Sequence, residues 1–282
     1  MLDRLAEIFL NKPELVTQFP PWMLSPERAR QIAASPGWAL VELAGRDSVA
    51  AALAAVRERG FTGLVPTLAY TGTEHGAWAA VPQALERLLS RLPAGVETTE
   101  LVLLGSPNFW RALCGRPLQL LARRLGFSPV CVGCHLYFHA VRLPLARRLG
   151  GIPIISGERE SHDGRLKLNQ LAFSLDAYHA LAGEFGVELM LPLRQVSRGE
   201  DITAILNLAW PEGGEQLGCA LSGNYLDAQG RAAPEEKGLP AYLRDFALPL
   251  ARAVVAGYLA GETLDHLALA RQTPLWSADA TA

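Results

Sequence analysis

The sequence predicts an α/β fold: a doubly wound, mostly parallel sheet with helices on both faces. Three observations carry this. Short apolar runs alternate with amphipathic stretches through the middle of the chain, the pattern of successive β-α units. The 282 residues are 50% hydrophobic and 19% charged, enough apolar surface for a large core, and too much for a disordered or fibrous chain. Internal repeats and low-complexity tracts are absent from the sequence.

The elements follow in order. Residues 1–35 read as an N-terminal helical arm, broken at Pro20, Pro21 and Pro26. Residues 38–43 form an apolar run and read as a buried strand; a helix follows from about Asp47 to Arg59. Residues 63–69 read as the second strand and 78–92 as the next helix, then 101–104 as a third strand with 109–125 helical behind it. A helix from near Cys134 to Leu149 leads into a short apolar strand at 152–155. Residues 170–185 are helical, 187–191 a strand, and 202–208 begin another helix. Residues 233–238 read as a surface loop, and the tail after Pro240 is helical again. This order defines a Rossmann-like domain over 36–225, between the arm (1–35) and a helical C-terminal extension (226–282).

Several functional classes drop out. The longest apolar candidate, residues 247–260, is interrupted by Arg252 and falls short of the roughly 18 residues of a membrane span. Asp3, Arg4 and Glu7 stand where a signal peptide would be basic and then apolar, so the expected location is the cytoplasm, with four reduced cysteines. The net charge of −2 argues against strong attraction to nucleic acid, but the charge is uneven. Residues 108–168 hold ten basic and three acidic side chains, a local +7 that leaves −9 on the remainder. That stretch can present a basic face to a phosphate-bearing ligand or RNA; alternatively, Arg123/Arg124 and Arg147/Arg148 simply sit at helix C-termini, where cations oppose the dipole.

In a sheet of this kind ligands bind beyond the C-terminal ends of the strands. Three loops are placed there: residues 43–48, 70–76 and 156–169. The first, Glu42-Leu43-Ala44-Gly45-Arg46-Asp47-Ser48, contains neither Gly-x-Gly-x-x-Gly nor a Walker loop. It combines small residues at the turn, a cation, and Asp-Ser opening a helix. That lets backbone N–H groups and the Ser48 hydroxyl approach an anion. Equally, Asp47 can serve as a simple N-cap. The loop resembles the Ser-Gly-Gly-x-Asp-Ser pyrophosphatase (PP) loop of the adenine-nucleotide α-hydrolase-like superfamily. Gly45, Asp47 and Ser48 match and Arg46 takes the variable position, while Ala44 replaces a glycine and Leu43 the leading serine. The resemblance implies that Gly45, Arg46, Asp47 and Ser48 hold the phosphates of ATP with Mg2+. A substrate oxygen then attacks the α-phosphate, and the activated carbon is open to sulfur or nitrogen.

Cys131-Val132-Gly133-Cys134-His135 is the most specific short signal, with Cys219 further on in a Gly-flanked stretch. Cys114 lies in an apolar helical stretch and reads as core. The other three admit a zinc site completed by His135 or His139, a haem attachment motif, a redox or persulfide dithiol with thiolate pKa lowered at a helix N-terminus, or an iron–sulfur centre with one open iron. The spacing of PP loop, Cys-x-x-Cys and lone Cys resembles the cluster-dependent tRNA thiolation enzymes. That resemblance implies a 4Fe-4S cluster on Cys131, Cys134 and Cys219, zinc being the lesser alternative. The terminal Cys-x-x-Cys fingers of that group are missing here.

The loop at 156–169 is similar to the Gly-x-Arg loop of phosphosulfate reductases. Gly157, Arg159 and Lys167 are candidate phosphate ligands and His162 a candidate acid or base; the alternative is a solvated loop of self-compensating charge. Residues 70–76 occupy the place of adenine-binding groups in the superfamily. Ser222 lacks the glycine two positions earlier that a nucleophile elbow requires, and His179 and His266 read as packed or surface side chains. The sequence is read as an ATP-dependent adenylating sulfurtransferase-like enzyme in which Asp47 and the three cysteines act catalytically. Its substrate is a small molecule or RNA, the small molecule being favoured because the chain is acidic; a sulfur donor and a homodimer are further expectations. The alternatives are a cluster or dithiol enzyme of sulfur metabolism without ATP cleavage, and a nucleotide- or metal-binding regulatory module.

Overall fold

The structure is a computed structural model in which residues 1–211, 213–226, 229–230 and 238–277 are described. Helices α1 (Leu2–Asn11) and α2 (Pro26–Ala34) form the arm. Strand β1 (Trp38–Glu42), helix α3 (Arg46–Arg59) and strand β2 (Gly63–Ala69) follow, the two strands wholly buried. Next come β3 (Glu74–His75), α4 (Ala80–Leu89), β4 (Glu97–Thr98), β5 (Val102–Leu104), α5 (Pro107–Trp110) and α6 (Leu118–Leu125). Helices α7 (Val130–Ala140) and α8 (Leu143–Arg148) precede β6 (Ile154–Ile155), α9 (Ala172–Glu184), β7 (Leu189–Met190), α10 (Gly199–Leu206) and β8 (Gly218–Cys219). The tail holds α11 (Gly238–Tyr242), α12 (Leu248–Ala260), α13 (His266–Arg271) and α14 (Pro274–Ser277).

The main sheet is parallel throughout, in the order β4-β2-β1-β6-β7. β4 and β5 are successive pieces along the edge of β2 that β1 leaves open: Gly63 pairs with Glu97, and Thr67 with Val102. On the other side β1 pairs with β6, Leu40 opposite Ile154 and Val41 opposite Ile155. The chain therefore winds outward from β1 in one direction and then crosses back to β6. The point of reversal, between the ends of β1 and β6, is where such sheets hold ligands. No helix among the described residues is long and apolar enough to cross a membrane.

Several expected elements break for identifiable reasons. The helix expected at 109–125 divides around a wide turn, Arg116 N–H bonding Arg111 C=O at 2.7 Å, just before Pro117. The helix expected from Cys134 to Leu149 begins earlier, at Val130, and divides after Ala140, because Pro144 in the next segment has no N–H to continue the ladder. The arm is tied in by Leu15 and Gly105, which exchange both backbone bonds at 2.8 and 2.9 Å. Of the surface loop expected at 233–238, only Gly238 lies within the described residues, and it opens α11. Arg142 and Arg159, counted in the basic stretch, are both buried, so the face loses two of its ten cations. Arg123/Arg124 and Arg147/Arg148 do occupy the last turns of α6 and α8.

Candidate functional site

The loop after β1 is closed by its own hydroxyl. Ser48 Oγ accepts from the N–H groups of Ala44 at 2.9 Å and Gly45 at 3.0 Å, and donates to Gly45 C=O at 2.8 Å. Gly45, not Asp47, is the N-cap of α3. The Asp47 carboxylate is instead spanned by two guanidiniums: Arg46 Nε donates to one oxygen at 2.7 Å and Arg159 Nε to the other at 2.9 Å. Both arginines are buried and come from different strand ends. Two buried guanidiniums thus converge on one carboxylate at a helix N-terminus, a setting suited to phosphate.

Gly157, after β6, packs directly on this loop. A β-carbon there would lie 2.6 Å from Ser48 N and 2.7 Å from the Asp47 carbonyl carbon, both backbone atoms. Gly157→Ala is therefore expected to force the two strand-end loops apart. Overpacking of this kind costs about 1–3 kcal/mol, which a thermal melt registers as a fall of several degrees; an unchanged midpoint would show that the loops are not in contact. From the other side Gln216 lies against Gly45, its β-carbon 3.1 Å from where a glycine β-carbon would be.

The loop after β6 is only partly solvated: residues 163–166 are exposed, but its functional candidates turn inward. Glu158, Arg159 and His162 are 5%, 0% and 1% exposed. His162 faces Gln170 through Nε2 rather than solvent, and Lys167 lies half-buried just before the turn Leu168–Gln170. Arg159 joins the first-loop residues Gly45, Arg46, Asp47 and Ser48 through Asp47, whereas His162 is buried against Gln170.

The thiols gather on the other flank. Cys131 and Cys134 lie in the first two turns of α7. Cys131 Sγ–H donates to Leu221 C=O and to Asn224 Oδ1, each at 3.4 Å. Cys219 Sγ contacts Thr73 Oγ1 at 3.2 Å and accepts from Leu221 N–H at 3.4 Å. Cys219 is not in a plain loop: β3 and β8 form a two-residue antiparallel ladder, Glu74 opposite Cys219. A ladder so short leaves no alternating pattern to read. Residues 70–76, placed at an adenine site from sequence, therefore support the thiol flank. Burial pushes the Cys131 and Cys134 thiols up, and proximity to Cys219 adds to it in both. The helix N-terminus does not yield the depressed thiolate pKa expected of a redox dithiol, because desolvation outweighs the dipole. Cys114 is buried, pushed well up by desolvation and then by the other three cysteines.

The histidines beside the thiols are engaged elsewhere. His135 Nδ1 lies 2.5 Å from Glu158 Oε1 and its Nε2 3.0 Å from Asn169 Nδ2. His139 Nδ1 lies 2.8 Å from Glu42 Oε1, with Nε2 3.8 Å from Glu158. Arg142 adds bonds to Thr67 Oγ1 at 2.7 Å and Glu42 at 3.3 Å. A zinc site completed by either imidazole thus does not form here. Among the described residues no set of three or more His, Cys, Asp or Glu side chains stands in metal-holding array.

This buried ionic chain went unseen in the sequence, where Glu42 reads as the end of a strand and Arg142 as one more arginine. Burial alone would raise the Glu42 carboxyl. Arg142 and His139, with hydrogen bonds from His139 and Ser156, outweigh it and hold the group at about 2, against an ordinary 4.5. A carboxyl lowered in the folded state stabilises the fold above its unfolded value and stops doing so as pH falls through the folded one. The protein is thus expected to lose stability between pH 4.5 and about 2, on the order of 3 kcal/mol at about 1.4 kcal/mol per unit. Glu42→Gln should flatten that part of a pH–melting curve; the same slope in both proteins would remove Glu42 from the account.

The chain is thus an α/β protein with a parallel sheet, arginine-bearing loops at its switch point and thiols beside them, and its first loop resembles the PP loop. No protein-family model matches the chain. Over 215 residues it is 36% identical to the protein called "Uncharacterized protein MJ0009" of Methanocaldococcus jannaschii, covering 75% of this chain and 77% of that one, and it belongs to the family of that protein. It is also similar to the crystal structure of a 4-thiouridine synthetase–RNA complex with bound ATP, at a TM-score of 0.47 and 16% identity over 79% of this chain. It spans 54% of that chain.

Proposed function

We propose that this protein is an ATP-dependent enzyme that activates a carbonyl-type oxygen by adenylation and replaces it with sulfur. The observation that supports it most is the adjacency of two half-sites along one segment. Gln216 lies on Gly45 of the phosphate-side loop, and Cys219, three residues on, faces Thr73 and the thiol helix. ATP with Mg2+ would take the phosphate side. Arg46 and Arg159 would bind the departing pyrophosphate, and the Ser48 hydroxyl and the Ala44 and Gly45 amides would turn from one another to the phosphate oxygens.

The thiols of Cys131, Cys134 and Cys219 fit a cluster in donor chemistry, being soft ligands from two adjoining chain segments. Cys134 is buried and Cys131 half-buried, both with raised pKa, so a cationic centre would be needed to hold them as thiolates. Bound there, an iron–sulfur cluster would supply an open iron for the incoming sulfur. The protein's own part is to present the three sulfurs, keep Cys131 hydrogen-bonded until they are used, and exclude water by burial. The test is the visible spectrum of anaerobically purified protein with iron, sulfide and zinc assayed. Broad absorbance with iron and sulfide supports the cluster; zinc alone, or no metal after reconstitution, overturns it.

One observation favours a second reading, a cluster or dithiol enzyme that does not cleave ATP. Leu43 is buried where the PP loop carries a serine, and the Ser48 hydroxyl already occupies two loop amides. Cluster formation without ATP binding would select it.

A further inference from the structure

We propose that Glu158 is a positioning residue that couples the phosphate-side loop to the thiol helix. The inference deepens the reading above and rests on its two half-sites. Gly157, Glu158 and Arg159 are consecutive but face opposite ways. Gly157 packs on the backbone of Asp47 and Ser48, and Arg159 Nε holds Asp47 at 2.9 Å. Between them Glu158 turns into the core toward α7. Its Oε1 lies 2.5 Å from His135 Nδ1, and its Oε2 accepts from Gln170 Nε2.

Two carboxylates from outside α7 grip it, each with its own short contact, while His139 Nε2 also faces Glu158 at 3.8 Å. Glu42, in β1, grips the C-terminal end of the helix through His139 at 2.8 Å and leads on to Arg142 at 3.3 Å. Glu42 sits within a buried strand paired on both sides, so that end is fixed to the sheet. The N-terminal end, with Cys131 and Cys134, is held through His135 by a carboxylate borne on a loop. Any shift of the phosphate-side loop acts on Gly157 and Arg159 and, one peptide away on either side, on Glu158. It thereby tilts the thiol end of the helix about its fixed end. Packed elements joined through a buried carboxylate transmit such shifts because the Glu158 oxygens, away from water, cannot be left without their hydrogen-bond partners.

A double-mutant cycle on the full-length protein tests this, with the rate of Cys131 alkylation by iodoacetamide, resolved by mass spectrometry, as the readout. Asp47→Asn disturbs the phosphate side; Glu158→Gln keeps the shape and an acceptor for His135 but removes the charge. Asp47→Asn is expected to change the Cys131 rate at least about threefold in the wild-type background and less than about 1.5-fold in Glu158→Gln, a coupling of the size measured for connected sites. A residue that only supports the fold would shift both rates by one factor and leave their ratio intact. Equal responses in the two backgrounds, or no response in wild type, overturn the proposal. If Glu158→Gln does not fold, His135→Gln, altered on the half-exposed side of the same contact, supplies the uncoupled background. Adding ATP to wild type in a parallel arm separates the two claims: absence of ATP binding refutes the nucleotide reading, while the cycle still reports on the coupling.

Discussion

Asp47→Ala combined with Ser48→Ala is expected to abolish ATP binding measured by calorimetry. The two side chains do different work. Ser48 Oγ holds the turn by bonding Ala44 and Gly45, so its loss releases the amides from their cradle. Asp47 holds Arg46 and Arg159 together, one guanidinium on each carboxylate oxygen. Without it, two buried guanidiniums repel each other and lose charge-assisted bonds worth about 1.5–3 kcal/mol each, so affinity should fall at least about a hundredfold. Arg111→Ala, on the exposed surface, should bind as wild type does. Wild-type protein that binds neither ATP nor AMP at millimolar nucleotide would end the PP-loop reading, and an unimpaired double variant would move the nucleotide elsewhere.

The second large effect concerns sulfur. Alanine at Cys131, Cys134 or Cys219 is each expected to bleach the absorbance of a reconstituted cluster and stop turnover, since three thiolates are the minimum that leave one position open. Cys114→Ala is the discriminating control, because Cys114 is electrostatically close to the other three. It is nonetheless enclosed: an added β-carbon on Gly133 would sit 3.1 Å from its sulfur and against the Tyr242 hydroxyl. Losing that sulfur should cost a small cavity, about 1–2 kcal/mol, and no colour. Bleaching by Cys114→Ala would enlarge the ligand set to four.

Much of the fold was legible because the signals were long. The runs at 38–43 and 63–69 are apolar but for Glu42 and Thr67 and became β1 and β2. β4 and the β3–β8 pair were not legible, being specified by their neighbours rather than by periodicity, whereas β6 and β7, equally short, lay inside the apolar runs at 152–155 and 187–191. At the site, Gly45, Arg46, Asp47 and Ser48 were visible as a motif, but the roles inside it were not. That Asp47 answers to Arg159 depends on two loops 112 positions apart. His135 and His139 drew notice only for their nearness to cysteines, and their true partners, Glu158 on the loop after β6 and Glu42 at the end of β1, are brought to them by a strand order that no local pattern encodes. Arg142 was misplaced for the same reason: a charged residue is read as surface unless its counterion is known.

The short ladder that carries Cys219 has a consequence for how the molecule is made. Thr73 and Cys219 are separated by 146 positions, whereas the Cys131/Cys134 pair lies on a single helix. Closing so long a loop costs entropy that local contacts do not, so this contact should form late, after the parallel sheet is in place. The third sulfur then arrives only once nearly the whole chain is correctly arranged. A metal needing all three would bind the finished molecule and ignore partly folded forms, shifting the folding equilibrium toward completion. Metal loading would in that case act as a quality check on synthesis as well as a preparation for chemistry.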